Sequence, residues 1–241
     1  MRALLLAAGL GTRLRPLTNT VPKCLVDING RPLLDYWIAL LGKGGIADIL
    51  INVHYMEAAV MRYVERCPHA VRLSTAHEEK LLGTAGTLLR NRAFFGGRPA
   101  VLVHADNLSL FDVRAFVRRY ESRDEGIDMT MMTFRTDSPR SCGIVEVDRR
   151  GVVQALHEKV EHPPGNLANA AVYILAPTVI EFLAGLGREE IDFSTEVLPH
   201  FMGRINTFHN DVYHRDIGTL ESLSAARIEY PAVAAKQAAG R

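Results

Sequence analysis

The chain has 241 residues, 48% of them hydrophobic and 23% charged, with 28 basic and 27 acidic side chains and a net charge of +1. That balance argues against the broad positive field expected of a nucleic-acid or anionic-membrane binder, so any anion site must be local. Cys24, Cys67 and Cys142 form no Cys-x-x-Cys pair, which speaks against a disulfide framework and a cysteine zinc site, and no apolar run approaches the ~20 residues of a membrane span.

Residues 2–8 (RALLLAA) read as a short buried strand stopped by Gly9. Residues 33–43 carry Leu34, Trp37, Ile38 and Leu41 at helical spacing, and 46–53 return to strand character. Helix is expected at 56–66, strand at 70–76, helix at 84–95, strand at 99–107 and an amphipathic helix at 110–123. Such alternation predicts an α/β fold, a Rossmann-like doubly wound, mixed and mostly parallel sheet with helices on both faces. The rhythm then changes. Strands are expected at 127–134, 143–148, 152–159 and 168–175, with a hairpin through Arg149-Arg150-Gly151. Met129, Met131 and Met132 are expected in the core. Two short helices follow, then a strand and a turn over 205–218 and an alanine-rich helix from Thr219 whose last residues should fray. The expected organisation is one domain over 1–225, with halves 1–125 and 126–225, and a tail at 226–241.

Ligands of open α/β sheets bind at the carboxyl ends of strands. The loop Gly9–Lys23, Asp106 and Asp216 all fall at such ends. Gly9 and Gly11 allow close backbone approach to phosphate oxygens. Arg13 offers a planar fork and Lys23 a compact charge, and Pro16 and Pro22 restrict the loop. The loop lacks the Walker GK[ST], and Leu14 occupies the third glycine position of GxGxxG. A nicotinamide enzyme would also need an acidic end to the second strand, where this chain has Asn52-Val53-His54. Taken singly, each candidate has a plain alternative: a glycine turn is often a solvated connection, a lone aspartate a cap, Glu158-Lys159 a surface pair, and Glu78-Glu79 a solvated face. His104 is assigned to packing, because no metal-binding histidine motif surrounds it.

The ordered set G-L-G-T-R-L-R-P-L-T-x-x-x-P-K, HEEKLLGTAGTL, VLVHADN, CGIVEVD with HEKV, LANAAVYIL and YHRDIGTLESL resembles the sugar-1-phosphate nucleotidyltransferases, and within them the mannose-1-phosphate guanylyltransferases. The resemblance runs nearly the whole length. It implies transfer of a nucleoside monophosphate from a nucleoside triphosphate to a sugar 1-phosphate with release of pyrophosphate. Arg13 and Lys23 would then serve catalysis. Ala7, Ala8, Gly9, Gly11, Thr12, Glu78, Gly83 and Thr84 would hold the nucleotide. Gly143, Glu158, Lys159 and Asn169 would hold the sugar phosphate, and Asp106 and Asp216 would hold Mg²⁺. Glu78 would read the base, and a carboxylate facing two adjacent donors favours guanine. The chain departs from the family at His104-Ala105, Cys142, Ala171 and Cys24, so the sugar stays open: mannose, glucose, a heptose or an N-acetylmuramic acid derivative, with a uridylyl or thymidylyl enzyme or a silent nucleotide-sugar sensor as alternatives. The expected partners are the two substrates, with no nucleic acid or membrane; a homo-oligomer is left open, and the expected compartment is the cytoplasm.

Overall fold

The computed structural model describes residues 1–239. In chain order the strands and helices are β1 (Arg2–Leu6), β2 (Asp27–Ile28), β3 (Arg31–Pro32), α1 (Leu33–Lys43), β4 (Asp48–Val53), α2 (Glu57–Glu65), β5 (Arg72–His77), α3 (Gly83–Arg90), α4 (Arg92–Phe95), β6 (Ala100–His104), β7 (Asn107–Leu110) and α5 (Val113–Glu121). The remainder is β8 (Met129–Arg135), β9 (Gly143–Val147), β10 (Val153–Glu158), β11 (Leu167–Leu175), α6 (Pro177–Gly185), β12 (Ile205–His209), β13 (Tyr213–Asp216) and α7 (Leu220–Ala239). The sheet is mixed, with parallel pairs such as β4–β5 and antiparallel pairs such as β9–β10.

Two compact units share this chain. The first holds Met1–Leu4, Leu81–Val103 and Arg114–Asp211, and the second holds Leu5–Lys80, His104–Val113 and Val212–Arg241. β1 is divided between them.

The first unit is built on β11. It pairs antiparallel with β6 and β8 and meets β9 at Ala168–Ile144, while β12 runs parallel to β8. Met129, Met131 and Met132 are fully buried with Val172, Ile174 and Phe193, so consecutive β8 side chains are covered on both faces. The Arg149-Arg150-Gly151 turn joins β9 and β10 as expected. Asp148 closes it by accepting from the N–H groups of Arg150 and Val152, both at 2.9 Å, and Gly151 takes the positive φ of +75°.

In the second unit β4 and β5 run parallel from Asp48–Arg72 to Val53–His77. A core of Leu14, Val26, Ile28, Leu33, Tyr36, Leu108, Ile217, Leu223 and Ala226 joins the basic loop, α1, β7 and α7. The Trp37 indole N–H donates to the Asn107 carbonyl at 2.8 Å, so the large apolar side chain of α1 also pins the start of β7. Residues beyond 225 continue α7. There Glu229 pairs with Arg215 at 2.8 Å and accepts from Tyr213, and Tyr230 packs edge-on against Tyr36. Part of the expected fraying falls on residues 240–241, outside the described residues.

Three boundaries differ from the periodicity. The helix expected over 84–95 breaks at Asn91, whose backbone (φ −98°, ψ 18°) leaves the helical region. The strand expected over 99–107 stops at His104, because Asn107 starts a new strand that pairs with β13. The segment 205–218 makes two strands, one in each unit.

Asp35 on α1 is buried in the second unit and receives hydrogen bonds from Tyr63 at 2.5 Å and His69 at 2.9 Å, with Arg31 against its other oxygen. Cys67 completes a small cluster with Asp35 and His69. Burial opposes ionisation of Asp35, but the Tyr63 hydroxyl and the Arg31 guanidinium outweigh it and hold the carboxyl below its usual range. A depressed folded pKa contributes stability above the unfolded value near 3.9, and that stability is lost as pH falls through the folded pKa. Asp35→Asn should therefore cost about 2 kcal/mol in urea denaturation at pH 7, and the deficit should shrink as pH falls below the unfolded value and through the lower folded one. A pH-independent deficit would mean that the charge contributes nothing.

Candidate functional site

The basic loop leaves β1 and is shaped by Gly11. This residue has φ +63°, and an added Cβ would sit 2.9 Å from Thr18 Cγ2 and 3.0 Å from Lys23 Cβ. No side chain fits there, so the loop closes tightly on itself. The Thr18 hydroxyl donates to the Gly11 carbonyl at 2.8 Å, and Tyr55 donates to the Thr18 carbonyl at 3.0 Å. Gly9 has open space around its Cβ position. Gly9, Thr12 and Arg13 are exposed, Ala7 is half-buried and Ala8 is buried.

Lys23 is the exception among the basic residues of this loop: Arg13 and Arg15 are exposed, whereas Lys23 is buried and 6% exposed. Its ammonium stands 2.8 Å from Asp106 Oδ2, and the Asp106 side chain is 44% exposed. Burying an ammonium is costly unless it is paired, so the lysine is committed to this carboxylate while the carboxylate keeps an open side. Burial disfavours the charged form of Asp106, but Lys23 and then His104 more than compensate and hold its carboxyl below the usual range. His104 therefore bears on the site through its proximity to Asp106 as well as through packing.

β7 and β13 form an antiparallel ribbon in which Asp216 lies opposite Asn107. The Ile217 N–H donates to the Asp106 carbonyl at 3.0 Å. The two aspartates thus flank one end of the ribbon. Gly218 shows how close Arg13 comes: a Cβ there would be 2.3 Å from Asp216 Oδ2 and 2.9 Å from an Arg13 Nη. Arg13, Lys23, Asp106 and Asp216 are gathered in the second unit. Carboxylate oxygens on two aspartates, the Asp106 side chain 44% exposed, suit the hard-oxygen coordination of magnesium, so the donor set fits that ion. His214 on β13 meets Ser109 at 3.1 Å, and burial pushes its imidazole down to about 3 with Asp106 partly opposing, so a neutral ring stands near the pair.

Glu78 and Glu79 behave differently from a solvated acidic face. Glu79 is exposed, whereas Glu78 is 2% exposed and accepts from Asn52 Nδ2 at 3.2 Å. The same Asn52 accepts from the Ala7 N–H at 2.7 Å.

The first unit holds the remaining candidates. Gly83 and Gly86 lie under the backbone of 189–191: added Cβ atoms would be 2.5 Å from the Ile191 carbonyl oxygen and 2.0 Å from that of Glu189. The Ile191 carbonyl accepts from Ala85 and Gly86. The Thr84 hydroxyl accepts from the Phe193 N–H at 2.7 Å and donates to Asp192 at 3.3 Å. The GTAG glycines and threonine thus have a reason internal to this unit, close backbone packing, beside the nucleotide role expected of Gly83 and Thr84. Gly143 sits opposite Glu158 across β9 and β10, and a Cβ on it would be 2.6 Å from Glu158 Oε2. The Lys159 ammonium is 3.4 Å from Glu158. Asn169 donates to the Tyr173 hydroxyl at 2.7 Å and accepts from the Ala171 N–H at 2.9 Å. Burial pushes the Tyr173 phenol up. Ala168 pairs with Ile144 and Glu158 with Gly143, so Gly143, Glu158, Lys159 and Asn169 belong to one neighbourhood. Lys159 and Ala171 take φ of +50° and +54°. Left-handed conformations of non-glycine residues cost about 1–2 kcal/mol each and collect at functional sites.

The family profile described as nucleotidyl transferase matches residues 2–232. The chain belongs to the nucleotidyl transferase family. It is 33% identical over 187 residues to a glucose-1-phosphate thymidylyltransferase of Streptomyces griseus, covering 77% of this chain and 52% of the relative. It is 31% identical over 228 residues to a mannose-1-phosphate guanyltransferase of Aspergillus fumigatus, covering 90% of this chain and 61% of the relative. The chain thus spans about half the length of several of the curated relatives it matches. Among solved structures, HddC from Yersinia pseudotuberculosis complexed with GMP-PN superposes with a TM-score of 0.80 at 24% identity, covering 95% of this chain and 99% of that one. A UDP-glucose pyrophosphorylase from Acinetobacter baumanii gives 0.80 at 19%, covering 95% and 92%. These likenesses show the nucleotide-diphospho-sugar transferase fold. Among the described residues no helix is long and apolar enough to cross a membrane.

Sequence reasoning missed Asn52, Gly218 and His214 as parts of the site. The signal for Asn52 was present: a polar amide near the carboxyl end of the apolar run Ile49–Val53. Gly218 had none, since its need arises from side chains that meet only in the fold.

The internal role of Thr84 is measurable. Thr84→Val should lower unfolding free energy by about 1–3 kcal/mol, because the buried Phe193 N–H loses its acceptor. An unchanged denaturation midpoint would leave the hydroxyl with no structural part.

Proposed function

We propose that the protein is a sugar-1-phosphate nucleotidyltransferase, joining a nucleoside triphosphate and a sugar 1-phosphate into a nucleotide sugar and pyrophosphate. The observation that carries this reading is the convergence of Arg13, Lys23, Asp106 and Asp216 beside a glycine loop at the carboxyl end of β1.

The chemistry asks little of a protein base. A phosphate monoester with a second pKa near 6 is largely dianionic at neutral pH and already nucleophilic. Its oxygen forms a bond to the α-phosphorus in line, and the bond from that phosphorus to the bridging oxygen breaks, sending the electron pair out with pyrophosphate. The barrier lies in bringing anions together and aligning them. In this reading Gly9, Gly11 and Thr12 offer backbone N–H groups to the triphosphate, with Ala7 and Ala8 beneath the nucleoside. Arg13, on an exposed turn, follows the β- and γ-phosphates and the departing pyrophosphate. Lys23 serves through its charge while orienting Asp106. A divalent ion, magnesium in this reading, supplies neutralisation of phosphate charge when held by Asp106 and Asp216. Lys159 holds the sugar phosphate, Glu158 accepts from sugar hydroxyls, and Gly143 and Asn169 shape the sugar pocket.

We assign guanosine triphosphate and mannose 1-phosphate as the first substrate pair, with Glu78 near the base edge; the Aspergillus relative supports this choice. The Streptomyces relative supports thymidine triphosphate with glucose 1-phosphate as the second.

The decisive assay measures pyrophosphate release with magnesium across a matrix of triphosphates and sugar 1-phosphates. Release with at least one pair is expected. Binding of a nucleotide sugar without release from any pair would instead mark a silent sensor. Asp106→Asn should reduce kcat by about 10²-fold or more; near-normal turnover would contradict its assignment. Gly218→Ala, which forces Asp216 and Arg13 aside, should lower kcat by about 10–100-fold. A Gly218→Ala enzyme with wild-type kcat would show that the two side chains are not held in a working geometry.

A further inference from the structure

Three strand ends of the second unit are tied together by one buried amide. Asn52, near the end of β4, is 3% exposed, and both ends of its side chain are used. Its Oδ1 accepts from the Ala7 N–H at 2.7 Å, at the first residue after β1. Its Nδ2 donates to Glu78 Oε1 at 3.2 Å, at the first residue after β5. The neighbouring bonds fix this geometry. The Glu78 N–H donates to the Val53 carbonyl at 2.9 Å, and the Glu78 carbonyl meets His54 Nδ1 at 2.7 Å. On the other side of the loop entrance, the Leu6 carbonyl accepts from the Ala105 N–H at 3.1 Å. The single peptide group joining Leu6 to Ala7 is therefore held at both ends, its carbonyl by the residue before Asp106 and its N–H by Asn52, where the glycine loop begins.

The chemistry of the two contacts dictates the residue type. A backbone N–H needs an acceptor, and a carboxylate needs a donor, and a planar amide offers one of each on a short stem. Aspartate would keep the contact to Ala7 but turn a carboxylate toward Glu78. Leucine would satisfy neither. Such buried links are costly to leave half made.

We infer that Asn52 is a positioning residue for the nucleotide, setting at once the entrance of the Gly9–Arg13 loop through Ala7 and the carboxylate of Glu78. The inference deepens the proposed nucleotidyltransferase reading and rests on it. Asn52 acts at a distance from the reacting phosphates, so its loss falls on the triphosphate rather than on the sugar phosphate. The polarity of the Asn–Glu link can be reversed. With Asn52→Asp and Glu78→Gln together, the new amide donates to the new carboxylate, and that carboxylate still accepts from Ala7.

The test is this swap. Relative to the wild-type enzyme, Asn52→Asp should raise KM for the triphosphate at least tenfold and leave KM for the sugar phosphate within twofold. The rise in triphosphate KM in Asn52→Asp combined with Glu78→Gln should be at least fivefold smaller than the product of the rises in the two single variants, because the reversed link is remade while Glu78→Gln carries its own loss at the base. Hydrogen exchange at the Ala7 amide, measured without substrates, should be slow in the wild type and in Asn52→Asp and at least tenfold faster in Asn52→Leu. A triphosphate KM within twofold of wild type in Asn52→Asp overturns the inference, as do effects of Asn52→Asp and Glu78→Gln that simply multiply in the double variant, or an equal rise in both KM values. No pyrophosphate release from wild-type protein with any substrate pair would sink the proposed activity and the kinetic half of the inference with it. Exchange at Ala7 would then still decide whether Asn52 holds the loop.

Discussion

The backbone pairing of β7 with β13 is the constraint on which the site depends. It sets Asp216 opposite Asn107 and brings the Ile217 N–H onto the Asp106 carbonyl, so two carboxylates far apart in the sequence flank the end of one short ribbon. Like charges so placed repel each other. The fold answers with Lys23, buried and bound to Asp106, and with Arg13, crowded against Asp216 at Gly218. The ribbon is itself anchored by apolar packing: Leu108 and Ile217 sit in the core that also holds Leu14 from the basic loop. Hydrophobic burial thus positions the charges, and the charges make the site.

Each compact unit carries a different chemistry. The second concentrates fixed cations and hard oxygen ligands beside a loop that glycine alone can close at Gly11. The first gathers a lysine–glutamate pair, an asparagine and two residues with left-handed backbones, Lys159 and Ala171. The proposed function assigns phosphate neutralisation to the charged residues of the second unit and sugar recognition to those of the first.

The fold was legible where periodicity is strong. The helix at 33–43 and the hairpin through Arg149-Arg150-Gly151 appear as expected, because an apolar stripe and a glycine turn are local signals. The split of 99–107 was not legible, because Ala105 and Asp106 interrupt a strand only when β13 arrives to pair with Asn107. The basic loop announced itself by glycine, proline and charge in one run, and Asp106 and Asp216 by their place at strand ends. Glu78 did not look buried beside Glu79, since its partner Asn52 comes from the neighbouring strand β4. The glycines of the GTAG segment suggested a ligand, and the structure adds a backbone neighbour, residues 189–191, that no local pattern reveals. What escaped the sequence in each case is a contact between segments far apart in the chain.

The most direct measurement is the location of a divalent ion and a triphosphate in crystals of the protein grown with Mn²⁺ and a non-hydrolysable guanosine triphosphate analogue, read by anomalous scattering. The account predicts a manganese peak within coordination distance of both Asp106 and Asp216, with the triphosphate along the Gly9–Arg13 loop. Manganese bound away from that pair, or a triphosphate seated elsewhere, would contradict it.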